Sequence, residues 1–151
     1  MAMTENCFDR VYRQLQVLVA GWSAGTSPGG ADPMVRFLPD LFRLLRRVTY
    51  DLEMPGADRR LAAAAVLYIA DPNDFLPDAD ETAADRRLDD LWVAFATFFL
   101  LVQSGAVARL ESHWRSEIPF RELMECRSHM AALDEAIPPR VLQMVNQYLG
   151  D

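Results

Sequence analysis

At 151 residues, with 51% apolar and 25% charged residues, the chain has the size and make-up of one folded domain that can bury a core without disulfide or metal staples, and not of a disordered segment. A formal net charge of −7 disfavours nucleic acid, whose affinity for proteins comes chiefly from clustered cations that release counterions, and leaves basic partners better suited. All 15 basic residues are arginine, so chemistry that needs a side-chain amine is excluded: Schiff bases, lysine-bound pyridoxal phosphate and a Walker-type phosphate lysine.

In chain order, Phe8, Val11, Tyr12, Leu15, Leu18, Val19 and Trp22 recur at spacings of three and four, which predicts an amphipathic helix with Thr4 as its N-cap. Gly25 to Gly30, with Pro28 and two adjacent glycines, breaks it. A second helix starts near Asp32-Pro33 or after Pro39, and Leu41, Phe42, Leu45, Val48 and Leu52 line one of its faces. Arg43, Arg46 and Arg47 fall largely on the other face, which reads as a solvated surface, with a docking patch as the alternative. After Pro55-Gly56, Asp58 can cap an alanine-rich helix through Leu61, Ala64, Ala65, Tyr68 and Ile69, whose small side chains imply close packing.

Asp71 to Asp85 carries two prolines, many acids and no apolar period, and reads as a loop. The strongest signal follows: Leu88, Leu91, Trp92, Phe95, Phe98, Phe99 and Val102 form one stripe, and apolar residues fill the other faces too. Such a helix is expected at the centre of the domain, or else against another subunit or a membrane surface. Further helical patterns begin at Val107, after Pro119 and after Pro138-Pro139. No period-two alternation appears, so the expected fold class is all-α: a single compact domain, 1–151, of six or seven helices, with an acidic helix-loop-helix turn before a central apolar helix.

Cys7 and Cys126 are far apart and form no CxxC pair, the first ten residues lack a basic and apolar leader pattern, and the apolar stretch Leu91 to Val102 is 12 residues, short of the roughly 18 to 20 needed to span a bilayer. A cytoplasmic protein is expected.

The most informative stretch runs from Leu67 to Asp78, followed by Leu88-Asp89-Asp90. A tyrosine-bearing apolar helix (Tyr68), a proline (Pro72), an aspartate (Asp74), a Leu-Pro-Asp turn (Leu76, Pro77, Asp78) and a paired aspartate opening the next helix (Asp89, Asp90) together resemble the YkvA-like family, a bacterial domain of unknown function. With the upstream Phe37 to Arg46 segment, the resemblance covers about residues 36–102. It departs from the family in one place, where Ala79 to Arg87 replaces a short turn with proline and glycine. The resemblance implies the helical fold and the motif, without an established activity.

Asp74, Asp78, Asp89 and Asp90 admit two physical readings. As caps, aspartates near helix starts accept unpaired backbone N–H groups and complement the helix dipole, with Arg59, Arg60, Arg86 or Arg87 available to neutralise the rest. As ligands, converging carboxylates would suit a hard cation such as Mg²⁺ or Ca²⁺. The loop is not an EF-hand, because Ala83 stands where that motif needs glycine and Asp89 where it needs glutamate. A weaker metal candidate is Glu122, Cys126 and His129, spaced i, i+4 and i+7 on one helix face, with His113 and Glu117 as another i, i+4 pair. No GxSxG or phosphate loop is present.

The catalytic inventory is thin, so the expectation is a non-enzymatic interaction or regulatory module that binds a protein partner or itself, with its acidic loop as the candidate surface. The alternatives are a Mg²⁺- or Ca²⁺-dependent enzyme, such as a hydrolase, built on the aspartates, and peripheral membrane attachment through Trp92 to Val102. The shortness of that stretch and the negative charge disfavour the membrane.

Overall fold

The computed structural model describes residues 7–24, 32–70 and 88–131, with Leu133, Gln143 and Gln147 singly. Among them lie six α-helices of six residues or more, a one-turn helix and a 3₁₀ turn, and no strand. The fold is all-α.

Helix α1 (Cys7–Ala24) buries Val11 and Leu15 and packs Phe8, Tyr12 and Val19 around them, which is the face its spacing predicts. The one-turn α2 (Asp32–Val35) ends where the Phe37 N–H turns back to the Met34 carbonyl at 3.1 Å. Helix α3 (Leu38–Thr49) then starts with Pro39 in its first turn, where the missing N–H has no intrahelical partner to lose. Both helix starts offered by the prolines are therefore used. Leu38, Leu41, Phe42, Leu44, Leu45 and Val48 of α3 are fully buried.

Helix α4 (Gly56–Ala70) buries Ala62, Ala65, Val66, Tyr68 and Ile69. Leu61 and Ala64, expected on that face, are only half-buried. The helix is apolar on nearly every side and packs on both α3 and the next helix, so its sequence leaves the rotation open and its two neighbours decide it.

Helix α5 (Leu88–Gln103) is the central one. Leu91, Val93, Ala94, Phe95, Phe98 and Leu101 have no exposed surface, and of the Trp92 to Val102 stretch Leu100 is the one large side chain that is exposed. Aromatic rings lock it to its surroundings edge to face: Phe95 on Phe37 (6.1 Å between centroids, 87°) and Phe98 on Phe120 (5.9 Å, 75°), geometries that favour ring quadrupoles. It ends in a Schellman motif. Gly105 takes a φ of 95°, its N–H meets the Val102 carbonyl and the Ala106 N–H meets that of Leu101, so two terminal carbonyls are satisfied by a conformation glycine adopts freely.

Helix α6 (Val107–His113) stops at an extended Trp114, whose indole N–H binds the Ile118 carbonyl at 2.7 Å. His113 and Glu117 thus do not share a helix. Helix α7 (Phe120–Glu125) follows Pro119, as its proline predicts, but the chain tightens at once into a 3₁₀ turn, Cys126–His129. The segment expected at Thr4 lies outside the described residues, as does the one after Pro138-Pro139 apart from Gln143 and Gln147, which are helical. Among those described, no helix is long and apolar enough to cross a membrane.

Phe95→Ala is expected to cost about 3–5 kcal/mol in urea unfolding, because the vacated volume sits among rings that cannot collapse into it. Val17→Ala, on the exposed side of α1, is expected to stay within about 0.5 kcal/mol; equal effects of the two would contradict the central placement of α5.

Candidate interaction surface

Asp51 gathers polar contacts from its own turn and from α6. Helix α3 ends as the Tyr50 N–H reaches back to Arg47 O and the Asp51 N–H to Val48 O, both at 3.1 Å. The Asp51 side chain then bends the chain onward: Oδ1 accepts the Glu53 N–H at 3.0 Å, while its carbonyl accepts the Met54 N–H at 3.0 Å. Aspartate favours such a turn because its short carboxylate reaches a backbone N–H two residues on.

The same carboxylate is gripped from α6. Arg109 holds it with both arms of the guanidinium, Nη2 on Oδ1 at 2.8 Å and Nε on Oδ2, and His113 Nε2 lies 2.6 Å from Oδ2. An ionised carboxylate only accepts, so the His113 Nε2 carries the proton in this contact. Arg109 Nη2 also reaches Glu53 Oε2 at 2.8 Å. The Asp51 side chain is 3% exposed. The hydrogen bonds of Arg109 and then His113 hold its carboxyl far below the ordinary carboxylate range, outweighing the opposing effect of burial;. Two further contacts fix the ends of this turn: Arg59 Nε on the Thr49 carbonyl and Arg47 Nη1 on the His113 carbonyl, each at 3.2 Å.

The anchored turn presents two large apolar side chains beside the exposed Glu53. Leu52 is 82% exposed and Tyr50 65% exposed. Leu52, expected in the core, is outside it because α3 has already ended at Thr49 and the helical phase no longer applies. Here lies a surface cleft of about 250 Å³ lined by Arg43, Arg46 and Arg47, which share one face of α3, and by Tyr50 just past the end of that helix. These arginines are not a uniformly solvated face: Arg46 and Arg47 are half-buried. Arg43 stacks 4.5 Å over the Tyr12 ring, and Arg46 lies over Phe8 at 5.3 Å while pairing with Asp9 at 3.0 Å.

The acidic motif is placed in part. Asp74, Asp78, Pro72, Leu76 and Pro77 lie outside the described residues. Asp89 and Asp90 stand in the first turn of α5, both fully buried, where a carboxylate complements the helix dipole. The Tyr68 hydroxyl donates to Asp89 Oδ2 at 2.5 Å across the α4–α5 packing, so the structure joins two motif positions, 21 residues apart, in one buried contact. Arg59, offered as a neutraliser for the aspartates, is instead used on Thr49.

Glu122, Cys126 and His129 fall on α7 and the 3₁₀ turn after it, whose tighter winding breaks the i, i+4, i+7 stack. Glu122 pairs with Arg36 at 3.4 Å. Cys126 is buried, its Sγ set against the Glu122 carbonyl at 3.5 Å, and burial pushes its thiol up to about 12, which disfavours the thiolate a metal needs. Among the described residues, no three His, Cys, Asp or Glu side chains converge as metal ligands.

No protein-family model, curated protein or solved structure matches the chain.

Asp51→Asn is expected to lower stability at pH 7 by about 1.5–3 kcal/mol, nearer the smaller figure because Arg109 is 41% exposed and solvent screens its charge. The folded carboxyl is depressed, so its contribution is present above about pH 4 and fades as pH falls through the folded value. Urea unfolding across this range should show the wild type and Asp51→Asn converging as pH drops; a constant gap would contradict the ionic grip.

Proposed function

We propose that the protein is a non-catalytic helical interaction module, of the YkvA-like kind its sequence motif resembles, which meets a protein partner through the turn between α3 and α4. One observation carries the reading: two large apolar side chains, Tyr50 and Leu52, stand exposed on a turn whose carboxylate receives four hydrogen bonds from the backbone of Glu53 and from Arg109 and His113.

Exposed apolar groups on a rigid turn suit binding for an energetic reason. A loop that must order itself on contact loses conformational freedom, whereas a turn already fixed by its own hydrogen bonds has little left to lose. Burying a leucine is worth about 1.5–3 kcal/mol, and tyrosine and arginine, the residues gathered here, dominate the residues that carry most of the energy in measured interfaces. Among the described residues, several groups that chemistry would call on have structural roles. Asp51 and His113 bind each other, Asp89 is held by Tyr68, and the Cys126 thiol is pushed up by burial.

The test is a photo-crosslinking amino acid placed at Leu52 or, as a control, at the exposed Arg127 in the 3₁₀ turn, in cells that make the protein. A discrete adduct is expected from position 52 alone, and Tyr50→Ala is expected to weaken it severalfold while leaving stability within about 0.5 kcal/mol. Equal crosslinking from both positions, or an adduct indifferent to Tyr50→Ala, would contradict the proposal. An adduct with a second copy of the chain would place the same turn in a dimer interface.

A further inference from the structure

We infer that the cleft formed by Arg43, Arg46, Arg47 and Tyr50 is a binding site for an acidic peptide segment, so that the partner of the adjacent turn is carboxylate-rich; this rests on the reading of that turn as an interaction surface. The net charge of the whole chain points to basic partners, but at physiological ionic strength a bound group senses charges within about 8 Å. The side chains that line the cleft are three arginines and a tyrosine, with Asp9 on Arg46 and Asp40 near Arg47 as the carboxylates beside them.

Four guanidiniums act on this small region. Burial first, and then the positive charges of Arg43 and Arg115, push Arg47 below its ordinary range, with Asp40 as the one carboxylate opposing them. Asp40 accepts the Tyr12 hydroxyl at 3.1 Å and keeps its charge. Asp9 pairs with Arg46, and no described carboxylate comes within ion-pairing distance of Arg43, Arg47 or Arg115. The helix does not need these arginines to cap it. Its last carbonyls are taken by the Thr49 hydroxyl (on Leu45 O), the Tyr50 and Asp51 N–H groups, and Arg59 (on Thr49 O). The guanidinium of Arg43 is exposed and that of Arg47 half-buried in the cleft wall, with no carboxylate in ion-pairing distance of either among the described residues, so an incoming carboxylate would add a partner to both.

Size and surroundings choose the anion. A space of about 250 Å³ is smaller than the roughly 300–1,000 Å³ typical of small-molecule pockets, and it is open beside Tyr50. It suits one or two side chains of a docked segment. Guanidinium forks match carboxylate geometry, and the neighbouring Tyr50 and Leu52 offer contact to apolar residues interleaved with the acids. A long polyanion, such as nucleic acid or an anionic bilayer, would extend beyond the cleft onto a chain with a net charge of −7.

The probe is a fluorescein-labelled octapeptide, Glu-Glu-Leu-Glu-Glu-Leu-Glu-Glu, followed by anisotropy and by NMR of the arginine side-chain N–H and Tyr50 signals. Its counterpart with lysine for glutamate serves as control. Saturable binding of the acidic peptide alone is expected, with shifts at Arg43, Arg47 and Tyr50, and weakening as NaCl rises from about 50 to about 300 mM. Arg43→Glu, at an exposed position, should weaken it about tenfold or more, and Arg47→Gln should do so less.

Absence of saturable binding, or equal affinity for Arg43→Glu, would overturn the inference, as would tighter binding to a twelve-nucleotide oligothymidine or to phosphatidylserine vesicles. The two proposals fail separately. A partner crosslinked at Leu52 but indifferent to Arg43→Glu removes the acidic segment and leaves the turn; peptide bound in the cleft while Tyr50→Ala leaves the crosslink intact removes the turn and leaves the cleft.

Discussion

The carboxylate of Asp51 is where the local turn and the long-range fold of this chain meet. Its Oδ1 accepts the Glu53 N–H, which is a matter of two residues, while Arg109 and His113 reach it from 58 and 62 residues further along. A carboxylate this buried is costly unless it is fully hydrogen-bonded, and once it is, removing any partner leaves a charge without compensation. The turn, the end of α3 and the whole of α6 are therefore fixed relative to one another by the same few atoms. Arg47 on the His113 carbonyl and Arg59 on the Thr49 carbonyl extend that constraint to either side.

Around this polar corner the rest of the architecture follows from apolar burial. Helix α3 packs against α1, α4, α5 and α6, and it can do so because one of its faces is leucine, phenylalanine and valine while its arginines leave by the other. Helix α5, apolar on nearly all sides, buries most of its surface and leaves Leu100 as the one large exposed apolar side chain among its described residues. The consequence for function is geometric. With most of the apolar surface of α5 spent on the core, Tyr50 and Leu52, just past the end of α3, are large apolar groups left exposed beside the arginines of that helix.

Much of the fold is legible in the sequence. The stripe from Leu91 to Phe99 marks a buried helix, and Pro39 and Pro119 mark helix starts, because a 3.6-residue period and a missing N–H are local properties. Legibility fails where a local pattern is degenerate. On α4 almost any face is apolar, so its rotation is decided by neighbours, and after Glu125 a 3₁₀ turn replaces the α-helical winding that would have stacked Glu122, Cys126 and His129. It fails again where partners are distant in sequence. Asp51 has no unusual local signature, and His113, paired on paper with Glu117, turns instead to a carboxylate 62 residues away. Tyr68 and Asp89 are a favourable case, since their motif spacing singled out both residues, though not the contact between them. The arginines of α3 are readable as one face, but the aromatic rings of α1 that hold Arg43 and Arg46 in place are visible only in three dimensions.

Hydrogen exchange at the Glu53 and Met54 amides, compared between the wild type and Asp51→Ala, tests most directly whether one carboxylate fixes the presented turn. The Asp51 carboxylate and the turn it forms protect these amides, so exchange at both should accelerate by about tenfold or more in the variant, while amides in the middle of α5 keep their protection. Unchanged exchange at Glu53 and Met54, with Asp51→Ala folded, would show that the turn is held by something other than Asp51 and would contradict the account.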